Sequence, residues 1–388
     1  MIEIDVKSEC SGCSACASVC PVKCIAMIAD EEEFLYPVVD KAKCIACGRC
    51  EKICPVKNRR ADLKDGKLLA YAACNKDDGV RSHSSSGGVF TLIAEKVIDK
   101  GGVVFGAAFD EYFNVKHRCC ENKDGLFAFR GSKYVQSDMG DSYQQAKEFL
   151  EQGRQVLFTG TPCEIGGLYA YLNKNYDNLI TQDFICHGVP SAIVWKKYLE
   201  YRADSSRGDI KNVTFRDKNS GWKSYSVTFY YADGSKTTEE FTKDPFMRAF
   251  LNDLCLRPSC YDCAFKTINR QSDITLADFW GVEEVMPCMD DDKGTSLIFL
   301  NSEKGKAVFG EISANLRYAE VDAGVAISNN LSMTQSAPLP KKRDAFMRDI
   351  CRKPFGKTVD KYTKITLIKR IKSKIGRIVK RFGKKKYD

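Results

Sequence analysis

Eight of the chain's 19 cysteines fall in two runs of one spacing: Cys10, Cys13, Cys16 and Cys20 before Pro21, and Cys44, Cys47, Cys50 and Cys54 before Pro55. Three thiolates, each two residues from the next, can wrap a tight loop around three corners of an iron–sulfur cubane. The fourth, followed by a helix-breaking proline, leaves that loop and reaches a second cubane. The spacing therefore predicts two 4Fe–4S clusters with crossed ligands: Cys10, Cys13, Cys16 and Cys54 on one, Cys44, Cys47, Cys50 and Cys20 on the other. Small residues between the ligands (Gly12, Ala15, Ala46, Gly48) let backbone amides approach the inorganic sulfur. Zinc is the rival reading, but tetrahedral zinc usually takes two separated C-x-x-C knuckles, not four cysteines within eleven residues. Cys24 lies outside the pattern and reads as a core cysteine.

This is the spacing of bacterial two-cluster ferredoxins, so residues 1–60 are expected to form such a domain, with 61–70 (ADLKDGKLLA) as a polar linker. A chain of 388 residues is long enough for further domains with a core of their own. No run approaches twenty apolar residues, and MIEIDVKSEC lacks a basic region followed by an apolar one, so the expected location is the cytoplasm. There 19 cysteines stay mostly reduced and read as metal ligands before disulfides. Only three histidines occur (His83, His117, His187), too few for His-rich metal sites; His83 and His117 are taken as surface residues.

The body carries a second set of cysteines. RQVLFTGTPCEIGGL (154–168) reads as a buried strand running into a turn with Cys163 just past it. NLITQDFICHGVPSAIVWKKYL (178–199) repeats the pattern, with Cys186 after the strand and a helix opened near Pro190. Two strand–turn–helix units in succession predict parallel strands of an α/β sheet, and ligands collect at the carboxyl ends of such strands. CLRPSCYDCAFK (255–266) adds the C-x-x-C pair Cys260 and Cys263, with Cys255 five residues earlier. VVFGAAF (103–109) reads as a strand, Ser142 to Leu150 as a helix, and SDITLADFWGVE (272–283) as a strand ending in a glycine turn. Cys163, Cys186, Cys260 and Cys263 suffice for a third cubane; a small zinc knuckle at 255–263 is the alternative.

The stretches SSSGGVFTLIAEKVIDKGGVVFGAAFD (84–110), FRGSKYVQSD (129–138), VLFTGTPCEIGGL (156–168), DFICHGVP (183–190), RPSCYDCAFK (257–266) and SDITLADFWG (272–281) resemble, in order, the beta subunit family of coenzyme F420 (deazaflavin) hydrogenases and dehydrogenases. The resemblance runs from about Tyr71 to Ser336 and extends to the N-terminal ferredoxin fusion. It implies an FAD-binding core with one 4Fe–4S cluster beside the flavin, on ligands matching Cys163, Cys186, Cys260 and Cys263; Cys255 competes with Cys186 for the last place. It also implies flavin contacts at Ser86, Gly87 and Gly88, which open a helix whose amides suit a phosphate, at Lys133 and Tyr134, and at Thr275, Asp278 and Gly281. The plain alternative for Gly87-Gly88 is a turn. His187, beside Cys186, is either a proton relay to the flavin or a structural imidazole. Bacterial members of this form resemble proteins encoded with polysaccharide-assembly enzymes, which weighs against the deazaflavin as substrate.

The expected fold is therefore α/β (α+β overall): a small ferredoxin-like domain, a mixed α/β flavin-binding core in two parts, 71–155 and 156–336, and a basic tail over 337–388. From Lys361 onward there are 12 Lys and Arg against one acid, a net +11 that leaves about −2 for the rest of a chain whose total is +9. Ile365, Ile368, Ile371, Ile375, Ile378 and Phe382 recur at helical steps among lysines and arginines, predicting an amphipathic helix and peripheral contact with an anionic membrane at its inner face. No aromatic interleaving or recognition motif points to nucleic acid. Two functions compete: an iron–sulfur flavoprotein oxidoreductase serving a redox partner protein (ferredoxin or similar) or a small molecule, and a non-catalytic iron–sulfur subunit feeding a separate catalytic chain. FMN is the alternative to FAD.

Overall fold

The computed structural model describes residues 1–58, 68–204 and 206–364; the helix read over 365–382 and most of the linker lie outside them. Strands β1 (Ile25–Ala29) and β2 (Leu35–Val39) form an antiparallel hairpin between the two cysteine runs. The core begins with β3 (Leu69–Asn75), β4 (Val103–Phe109), β5 (Val115–Cys120), β6 (Val156–Thr159) and β7 (Leu179–Phe184). Strands β8 (Ile210–Asp217), β9 (Ser226–Tyr231) and β10 (Lys236–Glu240) form a separate antiparallel sheet. Strands β11 (Ile274–Asp278), β12 (Ser296–Leu300) and β13 (Leu316–Val321) then return to the main sheet, whose order is β13-β3-β12-β11-β7-β6-β4-β5. One sheet thus spans both parts expected at 71–155 and 156–336, and it starts inside the segment read as linker.

Its centre, β4-β6-β7-β11, is parallel, as the paired strand–turn–helix units predict. Parallel strands are covered on both faces and read as apolar runs, which is why Val103, Val104, Phe105, Val156, Leu157 and Phe158 are all buried. The helix Val89–Asp99 lays Val89, Ile93, Ala94 and Val97 on the sheet at helical spacing. The helix Pro162–Leu172 starts where it does because Thr161 and Glu164 form a capping box and Pro162 opens the first turn.

Beside the sheet, Trp195, Tyr198, Phe215, Phe229, Phe246 and Phe250 build an aromatic core joining the small sheet to the helices Arg343–Ile350 and Phe355–Thr363. Residues 337–364, read with the basic tail, therefore pack on the body. Phe246 is fully buried, stacked on Tyr198 at 5.1 Å and edge-on to Trp195 at 5.4 Å. Phe246→Ala should cost about 3–5 kcal/mol, read as a lower denaturant midpoint. A midpoint shift worth under about 1 kcal/mol would mean this cluster does not hold the two parts together. Among the described residues no helix is long and apolar enough to cross a membrane.

Candidate metal centres and anion cleft

The repeat in the sequence is also a repeat in the backbone. Gly12 and Ser14 in the first run, and Ala46 and Gly48 34 positions on in the second, all take left-handed conformations. Each pair turns the chain between consecutive cysteines and leads into a one-turn helix, Ala15–Ser18 or Arg49–Lys52. Burial first, then Cys10 and Cys54, pushes the Cys13 thiol up to about 12, and Cys16 is raised by burial and then by Cys13, Cys10 and Cys54. Cys54 thus stands close to the thiols of the first run. Cys20, Cys44, Cys47 and Cys50 line a second cavity of about 340 Å³. Cys24 lines it too, with its Sγ 3.4 Å from that of Cys20, so this buried cysteine packs against a candidate ligand. Backbone amides approach these sulfurs: Ile2 N–H donates to Cys50 Sγ at 3.3 Å and Cys24 N–H to Cys20 Sγ at 3.3 Å.

The body cysteines converge. Cys163, in the first turn after β6, Cys186, two residues past β7, and Cys260 with Cys263 line one cavity of about 590 Å³. Adjacent parallel register, Thr159 opposite Gln182, is what brings the first two to the same sheet edge. Burial pushes Cys260 up to about 11 and Cys186 to about 12, so without a metal these groups are thiols and ligation must release their protons. Cations and donors stand ready for the anion this would create. Val189 N–H donates to Cys260 Sγ at 3.4 Å, Lys266 lies against Cys186, and the buried Arg270 lines the cavity with its Nε unpartnered. Ser11, also buried, lines the same cavity from the N-terminal module. Among the described residues no three His, Cys, Asp or Glu side chains gather as around a single metal ion. Cys255 sits elsewhere, fully buried in the aromatic core.

The third feature is a cleft of about 1880 Å³. Lys133 lines it together with Arg81, Arg130, Arg216, Lys218 and Lys293, against Asp78, Asp217 and Asp292. Arg216 is 5% exposed, lies 2.9 Å from Asp278, stacks over Tyr225 at 3.9 Å, and leaves its Nε without a hydrogen-bond partner. Burial lowers Lys133 to about 7; its Nζ donates to the Arg130 carbonyl at 2.9 Å. Burial, then the neighbouring Arg81 and Arg216, lowers Lys218 to about 8. A buried, partly unpaired arginine among clustered cations fits a phosphate-bearing ligand such as a dinucleotide.

The other expected contacts are placed less directly. Gly87 packs so closely that a Cβ there would lie 2.4 Å from the Ala73 carbonyl oxygen, and its N–H donates to Ser296 Oγ at 2.9 Å. Ser86 Oγ donates to the Thr295 carbonyl, and Gly88 takes φ +81° ahead of the helix. This loop therefore meets β3 and β12, while its neighbours Ser84 and Ser85 line the cleft. Tyr134 packs edge-on to Phe215 beside the cleft. Thr275 lies inside the sheet on β11, and Gly281 turns the chain against Asn329; neither lines the cleft. His187 lines the four-cysteine cavity and is held by Asp253 at 2.6 Å. His83 is exposed at the cleft, but His117 is buried, not a surface residue: its Nε2 donates to the Thr159 carbonyl and its Nδ1 accepts from Ser137.

Two family models match parts of the chain. Residues 9–58 match the model of a 4Fe–4S dicluster domain, and residues 153–324 match the model of the C terminus of the coenzyme F420 hydrogenase/dehydrogenase beta subunit. A chain in the solved structure titled as a xenon derivatization of the F420-reducing [NiFe] hydrogenase complex from Methanosarcina barkeri is similar at 15% identity, with a TM-score of 0.47 over 69% of this chain and 91% of that one. No curated protein matches. Over residues 153–324 the chain is thus similar to the C-terminal part of coenzyme F420 hydrogenase/dehydrogenase beta subunits, and this part follows an N-terminal 4Fe–4S dicluster domain, the iron–sulfur equipment of electron transfer.

Proposed function

We propose that the chain is an iron–sulfur flavoprotein oxidoreductase that passes electrons between a hydride donor or acceptor at FAD and a redox partner protein, by way of three 4Fe–4S clusters. The observation that carries this reading is the four-cysteine cavity, which Ser8, Ser11 and Val56 of the N-terminal module help to line. A group held there lies where the core meets the module. FAD, when bound, supplies the exchange between a two-electron hydride and single electrons, and the clusters supply one-electron steps. The chain's own part is to hold them. Arg216, Lys218 and Lys133 meet the anionic portion of the flavin, Cys163, Cys186, Cys260 and Cys263 hold the body cluster, and the crossed sets hold the other two. Cys47 and Ile45, the latter 60% exposed, bring the second-run cavity to the surface as the port for a partner.

Anaerobic purification followed by iron, sulfide and flavin analysis tests the reading. About twelve irons, four per cluster, and flavin released on denaturation are expected. Three clusters without flavin would favour the non-catalytic subunit instead; zinc in place of iron would remove both.

The lysines give a sharper test. At pH 8, Lys133, lowered to about 7, is mostly neutral; an entering phosphate favours its charged form, so FAD binding should take up protons. Calorimetry in two buffers of different ionisation enthalpy reads this directly, and net proton release would remove Lys133 from the contacts. The same depression makes the ligand-free fold less stable as pH falls from the unfolded lysine value of about 10.4 toward about 7, because only the unfolded state binds the proton in that window.

A further inference from the structure

Arg257 is fully buried, yet its hydrogen-bond partners are uncharged acceptors and a sulfur. Its Nε donates to the Cys10 carbonyl at 2.8 Å, one Nη to Gln136 Oε1 at 2.9 Å, and the other to the Leu35 carbonyl at 2.9 Å with Cys10 Sγ at 3.7 Å. The guanidinium lies over the Tyr36 ring at 4.3 Å. Among the described residues no carboxylate pairs with it, whereas the similarly buried Arg343 and Arg81 hold Glu32 and Asp291. A buried cation without a counter-ion is costly, and burial of this kind is found where an anion completes the site. The first cysteine run supplies one when it carries its cluster. The approach is built for closeness: a Cβ at Gly12 would come within 2.7 Å of an Arg257 Nη. Meanwhile the Arg257 backbone carbonyl accepts from Cys260 N–H at 2.8 Å, so one residue touches a candidate ligand of the first-run cluster with its side chain and of the body cluster with its main chain.

The second run has no such partner among the described residues. Two cations reach its cavity, Arg49 and the Met1 ammonium, but both are exposed, so water screens them, and the ammonium is already paired with Glu51 at 3.1 Å. The sequence repeat makes the two runs alike; Arg257 makes them different.

We propose that Arg257 is the counter-ion of the first-run cluster and makes it the higher-potential member of the pair, so that an electron settles preferentially beside the body cluster. The proposal rests on the cluster assignment above. Reduction adds one negative charge to the cluster, and a buried cation in hydrogen-bonding contact with Cys10 stabilises that reduced form more than the oxidised one. The balance is one electron per cluster, supplied by an ordinary chemical reductant.

The test is a redox titration of the whole protein followed by electron paramagnetic resonance, comparing the native chain with Arg257→Gln and Arg257→Lys. Arg257→Gln should disfavour reduction of the first-run cluster at least tenfold, ~59 mV for a one-electron couple, and leave the second-run cluster unmoved. Arg257→Lys, which keeps the charge, should recover part of the shift. Gln136→Glu supplies a second route, since it places a carboxylate on the guanidinium without removing it, and it should lower the same potential if Arg257→Gln proves too unstable to load. Variants with a full iron complement and unchanged potentials overturn the proposal. A native protein without clusters overturns the assignment beneath it, and iron analysis before the titration tells the two apart.

Discussion

Cys260→Ser should strip about four of about twelve irons from the protein and cut the core off from the N-terminal module. Serine keeps the size of the side chain but offers a poorer ligand to a soft iron–sulfur centre. The other three thiols of the cavity would remain, on two different strand ends and the far side of the C-x-x-C turn. The module's own cysteines lie outside this cavity, so their two clusters should survive with their resonance signals intact. Dithionite, which reaches exposed clusters directly, should still reduce them. A hydride donor acting at the cleft should not, and the rate of their bleaching by that donor should fall by orders of magnitude. The control is Cys255→Ala. Cys255 lies five residues from Cys260 in sequence but is fully buried among Phe246, Phe250 and Leu254, away from the cavity, so its loss should leave the iron count unchanged. The opposite pattern, iron lost with Cys255 and kept without Cys260, would move the body cluster off the strand ends altogether.

What is legible in the sequence is what is local. Two cysteine runs announce themselves because ligation by a tight loop imposes a spacing, and the strand before Cys163 shows as an apolar run because both faces of a parallel strand are covered. The anion cleft is different. Arg81 comes from a short helix after β3, Arg130 and Lys133 from the connection after β5, and Arg216 and Lys218 from the end of the small sheet. No period links them, and the fold alone brings Lys218 Nζ within 2.6 Å of the Arg81 carbonyl, 137 positions away. Conversely, Gly87 reads as a phosphate contact, yet the approach of β3 and β12 is reason enough for a glycine there. The C-terminal helices are hidden by composition. Lys353 and Lys361 give the segment a basic look, but both pair with Asp349, while Phe346, Ile350 and Val359 face the core.

Cys54→Ser separates crossed from uncrossed ligation in the module. If each run held its own cluster, loss of Cys54 would damage the second. In the fold, Cys54 raises the thiols of Cys13 and Cys16, whereas the cavity lined by Cys44, Cys47 and Cys50 is closed by Cys20. The expected casualty is therefore the first-run cluster, the one against Arg257. Iron should fall by about four, or by about one where a three-iron remnant persists, and the signal of the second-run cluster should remain. Cys54 is the better choice for this experiment than its counterpart Cys20, because Cys24 lies 3.4 Å from Cys20 and offers a fifth thiol to that site. The readout gains a further handle from the arginine. With the first-run cluster gone, Arg257 is left buried without an anion, so Cys54→Ser should also lower the stability of the docked module, seen as faster proteolysis between the module and the core. Loss of the second-run signal with the first intact would mean that the two runs ligate without crossing, and the counter-ion argument for Arg257 would then have to rest on Cys10 alone.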